Sequence, residues 1–244
     1  MANEQTIIQL TDPAQWRSAY DHVLTACFPP VELESYEMLH ESLATERLRA
    51  FGIVGTDGAV ECVVMLAIYG PVSMILYLAI APDRRGGGRG GALLGHAIEY
   101  ARAADVSYVL AEIEHPAYHQ AHPEFGDPAA RLKFYERHGL RILDVPYFMP
   151  ALGPGTKRVP ALLLGALWTS ADVHRGDAAV AAAPLREFLT RYVAHSEGSL
   201  ATDNAMTRLL TSVSGDEVRL WSVSELAQVP AGLLEPDELY APQS

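Results

Sequence analysis

The chain has 244 residues, of which 49% are hydrophobic and 20% are charged, and its formal net charge at pH 7 is −12. These values are typical of a globular protein with one domain, or one domain and an appendage, and the length is sufficient to bury a core. The acidic balance argues against nucleic acid and anionic lipid as partners and favours a cationic substrate such as an amine. Two cysteines, Cys27 and Cys62, are too few for a disulfide framework.

The N-terminal segment lacks the basic and apolar regions of a secretory signal. No apolar stretch reaches the roughly 18 residues that a membrane span needs. We therefore expect a cytoplasmic protein that makes no use of a membrane.

The first half of the chain is predicted to combine strands with helices. Thr11-Asp12-Pro13 marks a helix start, because proline fits the first turn of a helix. Gly55-Thr56-Asp57-Gly58 predicts a hairpin turn. In chain order the patterns predict a strand at 6–9, helices at 13–26 and 32–44, strands at 47–54, 60–69 and 75–81, and a helix at 92–102.

The second half continues with shorter elements. Gly139 is expected to end a short helix, as glycine commonly does. The predicted elements are a strand at 108–114, a helix at 129–138, strands at 141–143 and 161–168, helices at 178–194 and 199–213, and a strand at 218–223. Together they predict a mixed α/β protein.

A glycine- and arginine-rich segment separates the strand at 75–81 from the helix at 92–102. It reads Arg84-Arg85-Gly86-Gly87-Gly88-Arg89-Gly90-Gly91. Glycine lets the backbone approach a ligand closely and take positive φ, and the start of a helix adds about half a positive charge. Arginine side chains strengthen the contacts to an anion. The segment therefore predicts a site for a phosphate-bearing ligand.

Other interpretations of this segment remain open. The Lys-Ser or Lys-Thr pair of a Walker loop is missing. A Rossmann turn would fit at Gly86, Gly88 and Gly91, with Glu112 or Glu114 as the acidic residue that follows. A tight surface turn with solvated arginines is a third interpretation.

A second motif lies downstream, on the short helix predicted at 129–138. It reads Ala130-Arg131-Leu132-Lys133-Phe134-Tyr135-Glu136-Arg137-His138-Gly139-Leu140. This motif resembles the signature Ala-x-x-Leu/Phe-Tyr-Glu-x-x-Gly-Phe of the GNAT superfamily of N-acetyltransferases. The segment Arg85-Gly-Gly-Gly88-Arg-Gly90 resembles the same family's acetyl-CoA signature, Arg/Gln-x-x-Gly-x-Gly/Ala. The resemblance covers roughly residues 5–170.

The resemblance implies a fold and a function. The implied fold is a central, mostly antiparallel twisted sheet flanked by helices, with residues 1–170 as the GNAT-like acetyl-CoA-binding domain. Residues 171–244 fall outside the resemblance, and the apolar residues of the helix predicted at 178–194 lead us to expect a C-terminal helical extension packed on the same domain. The implied activity is transfer of an acetyl group from acetyl-CoA to an amine by direct attack in a ternary complex. The acceptor would be a small-molecule amine or a protein amino group. A homodimer is one possible assembly of the protein.

The resemblance also implies which residues hold the co-substrate. The pantetheine arm would pair with the backbone of Leu78 and Ile80 as an added strand does. The residues expected at the pyrophosphate are Arg84, Arg85, Gly86, Gly87, Gly88, Arg89, Gly90 and Gly91.

Three further residues are expected to be catalytic. Tyr135 matches the tyrosine that protonates the leaving thiolate in many family members, although it could also only pack on the co-substrate. Some members carry a carboxylate where this chain has Met74, so the general base is sought elsewhere. Glu114 is the first choice and Glu112 the second, since both share one face of the predicted strand; two solvated glutamates are the alternative.

Several residues receive weaker assignments. His115 and Glu32 are more distant candidates for the base. His115, His119 and His122 are not expected to bind a metal, because prolines interrupt the segment that carries them. This histidine segment is expected either to contribute to acceptor recognition or to be a plain surface loop. Asp127 replaces an asparagine of the family pattern and is expected to cap the next helix.

Two functions of other classes remain open at this stage. A catalytically weak module that binds acyl-CoA for sensing or assembly is the first alternative, because the base is uncertain. A Rossmann-type oxidoreductase is the second, because the glycine pattern also fits it.

Overall fold

The computed structural model describes residues 6–153 and 155–241. The chain divides into two compact units that interleave along the sequence. Unit 1 comprises the described residues of Met1–Ile68, Ser73–Asp105 and Pro123–Phe125. Unit 2 comprises the described residues of Tyr69–Val72, Val106–His122 and Gly126–Ser244.

The strands of unit 1 follow one another in the sheet in chain order. They are β1 (Ile7–Gln9), β2 (Leu48–Val54), β3 (Val60–Tyr69) and β4 (Val72–Ile80), in the order β1-β2-β3-β4. β1 and β2 pair antiparallel, as do β2 and β3. The predicted hairpin turn is confirmed: Gly58 has a φ of +84° and its N–H donates to the carbonyl of Gly55 at 3.0 Å.

The helices of unit 1 are α1 (Pro13–Ser18), α2 (Thr25–Cys27), α3 (Tyr36–Ala44) and α4 (Arg89–Ala103), with a π-helical segment, Ala19–Leu24, between α1 and α2. The predicted start of the first helix is confirmed at Pro13, and Asp12 caps it by accepting hydrogen bonds from the amides of Ala14 and Gln15 at 2.7 and 3.2 Å. Apolar residues of α3, α4 and β3 form the core of this unit, among them Leu39, Val63, Val64, Leu93 and Leu94.

The helix predicted at 32–44 begins later, at Tyr36. Two tyrosine hydroxyls hold the preceding backbone instead. Tyr77 Oη accepts from Glu34 N at 3.0 Å, and Tyr20 Oη donates to the carbonyl of Glu34 at 3.1 Å. These bonds use backbone groups that a helix would need, so helical geometry starts only after the Ser35 cap.

The strands of unit 2 are all paired antiparallel. They are β5 (Tyr108–Glu114), β6 (Arg141–Leu143), β7 (Leu162–Thr169), β8 (Ala179–Ala181) and β9 (Glu217–Trp221), in the order β5-β7-β6-β9-β8. Since β9 pairs with β6, the last third of the chain shares a sheet with the residues before it.

The helices of unit 2 are α5 (Pro128–Glu136), α6 (Ala182–Glu197) and α7 (Asn204–Ser212). The first residues of the helix predicted at 178–194 form β8 instead, because Val180 pairs with Val218 on β9. The apolar side of α6, with Leu185, Phe188 and Leu189, is buried. None of the helices in the described ranges is long and apolar enough to cross a lipid bilayer.

Candidate functional site

The glycine-rich segment forms a tight loop in unit 1, between β4 and α4. A short 3₁₀ turn, Pro82–Arg84, follows β4. Gly86, Gly87 and Gly88 then have φ angles of +98°, +66° and +77°. Side chains with a Cβ rarely adopt such angles, so this backbone path requires glycine.

The loop gathers backbone N–H groups at the start of α4. Gly88 precedes the helix, and the first helical hydrogen bond runs from Ala92 N to the carbonyl of Gly88 at 3.0 Å. The amides of Arg89, Gly90 and Gly91 therefore have no partner within the helix. A Cβ built on Gly86 or Gly88 would meet no atom within 4 Å, which leaves the space over the loop open. Free amides at a helix start beside open space fit a phosphate group.

The three arginines of the loop have different surroundings. Arg84 and Arg89 both approach the carboxylate of Glu61, Nη1 of Arg84 at 3.5 Å and Nε of Arg89 at 3.9 Å. Arg89 also donates to the carbonyl of Arg84 at 3.1 Å. Arg85 is exposed and has no ion pair in the part of the chain that the structure describes. Arg85 is therefore the guanidinium best placed to contact an added anion, while Glu61 offsets the charge of the other two.

The strand before the loop carries the two residues predicted at the pantetheine arm. Leu78 and Ile80 are half-buried on β4. The carbonyl of Ile80 accepts a hydrogen bond from the thiol of Cys27 at 3.3 Å. A carbonyl has two lone pairs, so this contact leaves Ile80 able to accept a second hydrogen bond.

Tyr135 lies on α5 in unit 2 and is buried, with 7% of its surface exposed. Burial raises the pKa of the phenol to about 12, and Arg131 lowers it in part. The hydroxyl is therefore protonated at neutral pH. The predicted cap of this helix is confirmed, because Asp127 accepts from the amide of Ala129 at 2.9 Å, and Gly139 has a φ of +85° after the helix.

Glu114, the first choice for the base, lies at the end of β5 between two cationic or potentially cationic groups. Its Oε2 is 3.2 Å from Nη1 of Arg131, and its Oε1 is 3.5 Å from Nδ1 of His119. Nε2 of His119 lies 2.9 Å from the carbonyl of Pro160. Because a carbonyl only accepts, Nε2 carries a proton.

Glu112, the second choice, lies two residues earlier on the same face of β5. The hydroxyl of Tyr147 donates to its Oε1, and the hydroxyl of Tyr192 donates to Oε1 and Oε2 at 3.2 and 3.3 Å. Both tyrosines are buried, whereas Glu112 is half-buried. Sequence reasoning missed both tyrosines, since they are 35 and 80 residues away in the chain and carry no local motif.

The remaining candidates have backbone or ring partners. His115 is buried, and its Nδ1 accepts from the amide of Ala117 at 3.1 Å; burial lowers its pKa. The carbonyl of Glu32 accepts from Tyr77 at 3.4 Å. Among the described residues, no group of histidine, cysteine, aspartate and glutamate side chains could hold a metal ion. The sequence analysis also did not single out Glu34 as a perturbed carboxyl group. Burial raises the pKa of this side chain.

Comparison with known proteins identifies one family. The sequence model described as the acetyltransferase (GNAT) family matches residues 16–140. A GNAT-family protein of Bacteroides thetaiotaomicron, assigned as an acetyltransferase, has a similar fold, with a TM-score of 0.53 and 21% identity over 66% of this chain and 85% of that one. The ribosomal-protein-S18-alanine N-acetyltransferase of Escherichia coli has a TM-score of 0.48 and 19% identity over 70% of this chain and 99% of that one. No curated protein matches the chain.

Proposed function

Because the chain belongs to the GNAT acetyltransferase family, we propose that it transfers an acetyl group from acetyl-CoA to an amine. The amine attacks directly while both substrates are bound. A small-molecule amine and a protein amino group are both suitable acceptors. The family match ends at residue 140, so the acceptor is assigned by class only.

The geometry of the glycine loop is the observation that supports this proposal most directly. Gly86, Gly87 and Gly88 hold a backbone path that other residues disfavour, and the amides at the start of α4 lie beside open space. Such a loop places several donors around one anion, as a diphosphate requires. We propose that Arg85 adds a charge-assisted contact, and that the backbone of Leu78 and Ile80 pairs with the pantetheine arm.

Tyr135 is proposed as the group that donates to the departing sulfur. Its pKa of about 12 lies well above that of an alkyl thiol, about 8.5. Complete transfer of the proton from phenol to thiolate would therefore cost about 5 kcal/mol. The role that fits this difference is a strong hydrogen bond to the sulfur as negative charge develops on it. Glu114 and Glu112 are the proposed candidates for the proton acceptor.

The experiment that tests the function has a binding step and a turnover step. Acetyl-CoA is titrated into the purified protein in a calorimeter, and release of free thiol is then followed with a panel of amines. Gly88→Glu should abolish binding, because it strains the backbone at +77° and places a negative charge at the proposed phosphate site. Gly95→Ala is the control, since a Cβ on this helical glycine meets nothing within 4 Å.

Each outcome has a clear meaning. Binding that is lost in Gly88→Glu and kept in Gly95→Ala supports the loop assignment. Undiminished affinity in Gly88→Glu contradicts it. If the protein binds acetyl-CoA and no amine produces thiol, an acyl-CoA-binding module is the better description. Tighter binding of NAD(H) than of acetyl-CoA would favour an oxidoreductase.

A further inference from the structure

We propose that unit 1 contains a second ligand site, which binds a small carboxylic acid with an apolar body. The guanidinium of Arg49 holds the ligand carboxylate, and the exposed side chain of Glu46 competes with the ligand for that position. The site goes beyond the proposed acetyltransferase function and does not depend on it.

A cavity of about 600 Å³ lies beside β2, where β1 ends. Its lining residues come from β1, α1, α3, β2 and α4 and the turns that join them, all within unit 1. The volume falls within the roughly 300–1,000 Å³ that small-molecule sites have. Tyr100, which lines the cavity, is about 16 Å along α4 from the first residue of that helix. The cavity is therefore separate from the glycine loop.

Much of the cavity wall is apolar. Leu10, Leu43 and Leu48 line it from three different segments, and Trp16 lines it from α1. Trp16 is buried, and its ring stacks on Tyr36 with centroids 6.0 Å apart and an interplanar angle of 19°. Side chains that are packed in this way form a rigid wall, against which the apolar body of a ligand loses contact with water.

A guanidinium is held at the polar side of the cavity. Nε of Arg49 donates to the hydroxyl of Tyr100 at 3.0 Å. Its Nη1 donates to the carbonyls of Glu46 and Leu48 at 2.6 and 3.1 Å. These acceptors fix the orientation of the planar group, and 19% of the Arg49 side chain is exposed. A guanidinium that is preorganised and only partly hydrated is well suited to bind a carboxylate.

The carboxylate that contacts Arg49 in this structure is weakly held. Nη2 of Arg49 donates to Oε2 of Glu46 at 3.0 Å, and the Glu46 side chain is 80% exposed. Exposed ion pairs contribute little, because water and salt screen them. The Glu46 backbone has a φ of +60°, which residues other than glycine adopt rarely, and its carbonyl contacts Arg49. The backbone of Glu46 thus fixes the guanidinium, while an incoming carboxylate can displace its side chain.

The available donors match a carboxylate. Displacement of the Glu46 side chain leaves both hydrogens of Arg49 Nη2 available to a ligand. The hydroxyl of Tyr100 accepts from Arg49 and donates to no acceptor in the described part of the chain, so its proton is a further donor. Two carboxylate oxygens can accept these hydrogens. A phosphate would bring more negative charge than one guanidinium balances, and it would gain nothing from the apolar wall.

Cyclohexanecarboxylate is the probe that tests the site, because it combines one carboxylate with an apolar ring. Cyclohexanecarboxamide has the same shape and no charge. Both are titrated into the full-length wild-type protein at pH 7 in a calorimeter. We expect the carboxylate to bind at least about tenfold more tightly than the amide, because its hydrogen bonds to Arg49 are charge-assisted. Equal affinities, or no binding of the carboxylate, would overturn the proposal.

Arg49→Met tests the guanidinium. We expect the affinity for cyclohexanecarboxylate to fall by at least about tenfold. Arg191→Met is the matched control, because it removes the same charge from an exposed side chain that does not line the cavity. A loss in Arg49→Met alone supports the site, whereas equal affinities in the two variants overturn it.

Glu46→Gln tests the competing carboxylate and leaves Arg49 in place. The change removes the charge that the ligand must displace, so the affinity for cyclohexanecarboxylate should rise by about two- to fivefold. Glu41→Gln is the control, since Glu41 is also exposed on α3 and does not line the cavity. Equal affinities in the two variants, or weaker binding in Glu46→Gln, contradict the proposal.

Tryptophan fluorescence locates the probe. Trp16 lines the cavity, whereas Trp168 and Trp221 belong to unit 2. Cyclohexanecarboxylate should change the emission of wild-type protein and leave that of Trp16→Phe unchanged, with the heat of binding kept. An emission change that persists in Trp16→Phe places the probe elsewhere and refutes the site.

The acetyl-CoA titration keeps this site distinct from the proposed function. Arg49→Met should bind acetyl-CoA as the wild type does, because the cavity is separate from the glycine loop. A parallel loss of acetyl-CoA and cyclohexanecarboxylate binding in this variant would refute a separate site. Wild-type protein that binds the carboxylate and no acetyl-CoA would refute only the proposed function.

Discussion

Arg158→Met removes a guanidinium that is buried in unit 2 and joins three segments of the chain. Its Nε and Nη2 donate to the carboxylate of Glu197 at 2.7 and 2.8 Å. Its Nη1 donates to Asp203 Oδ2 at 2.6 Å and to the carbonyl of Glu238 at 3.2 Å. The side chains of Arg158 and Glu197 are both 0% exposed, so the variant leaves a carboxylate charge in the interior without its partner.

The expected cost follows from this burial. Removing one partner of a buried ion pair costs about 3–5 kcal/mol, chiefly because the other charge stays buried. For a chain of this length, each kcal/mol lowers the melting temperature by about 2–4 °C. We therefore expect the melting temperature to fall by about 6–20 °C. The exposed pair Arg191–Glu187, at 2.8 Å on α6, provides the contrast, since Arg191→Met should cost under about 1 kcal/mol.

Thermal and urea unfolding, followed by circular dichroism at pH 7, measure these differences. The double variant Arg158→Met with Glu197→Gln should regain part of the loss, because the unpaired charge is then gone. A cost for Arg158→Met no greater than that for Arg191→Met would refute the reasoning. So would a double variant that is less stable than Arg158→Met alone.

Three further changes have outcomes that the structure specifies. Tyr135→Phe should lower turnover at least tenfold and leave acetyl-CoA affinity nearly intact, since it removes one hydrogen bond to a developing charge; thiol release and calorimetry measure the two effects. Gly232→Ala should destabilise the protein by about 3 kcal/mol in urea unfolding, because the new Cβ meets the backbone of Tyr147. Arg208→Met should reduce stability at pH 7 and have little effect in strong acid. The hydrogen bond from Arg208 lowers the pKa of Glu238, so the stabilisation is present above about pH 4.5 and is lost as pH falls through the lowered pKa.

Each of these predictions has its own contrary result. Unchanged turnover in Tyr135→Phe would make this tyrosine a packing residue. Gly215→Ala is the control for Gly232, because the nearest atom to its Cβ is 4.0 Å away, and equal effects of the two changes would contradict the steric argument. A stability difference between wild type and Arg208→Met that persists in acid would show that the Glu238 carboxylate is not its source.

Local backbone signals were sufficient for much of the fold. The helix start at Pro13, the Asp127 cap, the turn at Gly58 and the strand at 108–114 were predicted and are confirmed. Each depends on hydrogen bonds or φ angles within a few residues, which the amino-acid types at those positions dictate directly.

Elements that depend on distant partners were predicted less well. Residues 32–35 were expected in a helix, but hydroxyls from Tyr20 and Tyr77 hold that backbone in another conformation. Alanine-rich residues 179–181 were expected to begin a helix, but pairing with β9 makes them a strand. In both cases long-range hydrogen bonds outweigh a modest local preference.

The sequence by itself determined the glycine loop, because consecutive residues encode its positive φ angles and the helix start that follows. It also determined the family, because the two family motifs are runs of consecutive residues. It offered two carboxylates on one strand face, with Glu114 as the first choice for the base and Glu112 as the second. Only the tertiary structure gave tyrosine hydroxyls to Glu112 and a guanidinium to Glu114. Partners 35 and 80 residues away meet through packing of whole elements, which leaves no mark on the local pattern.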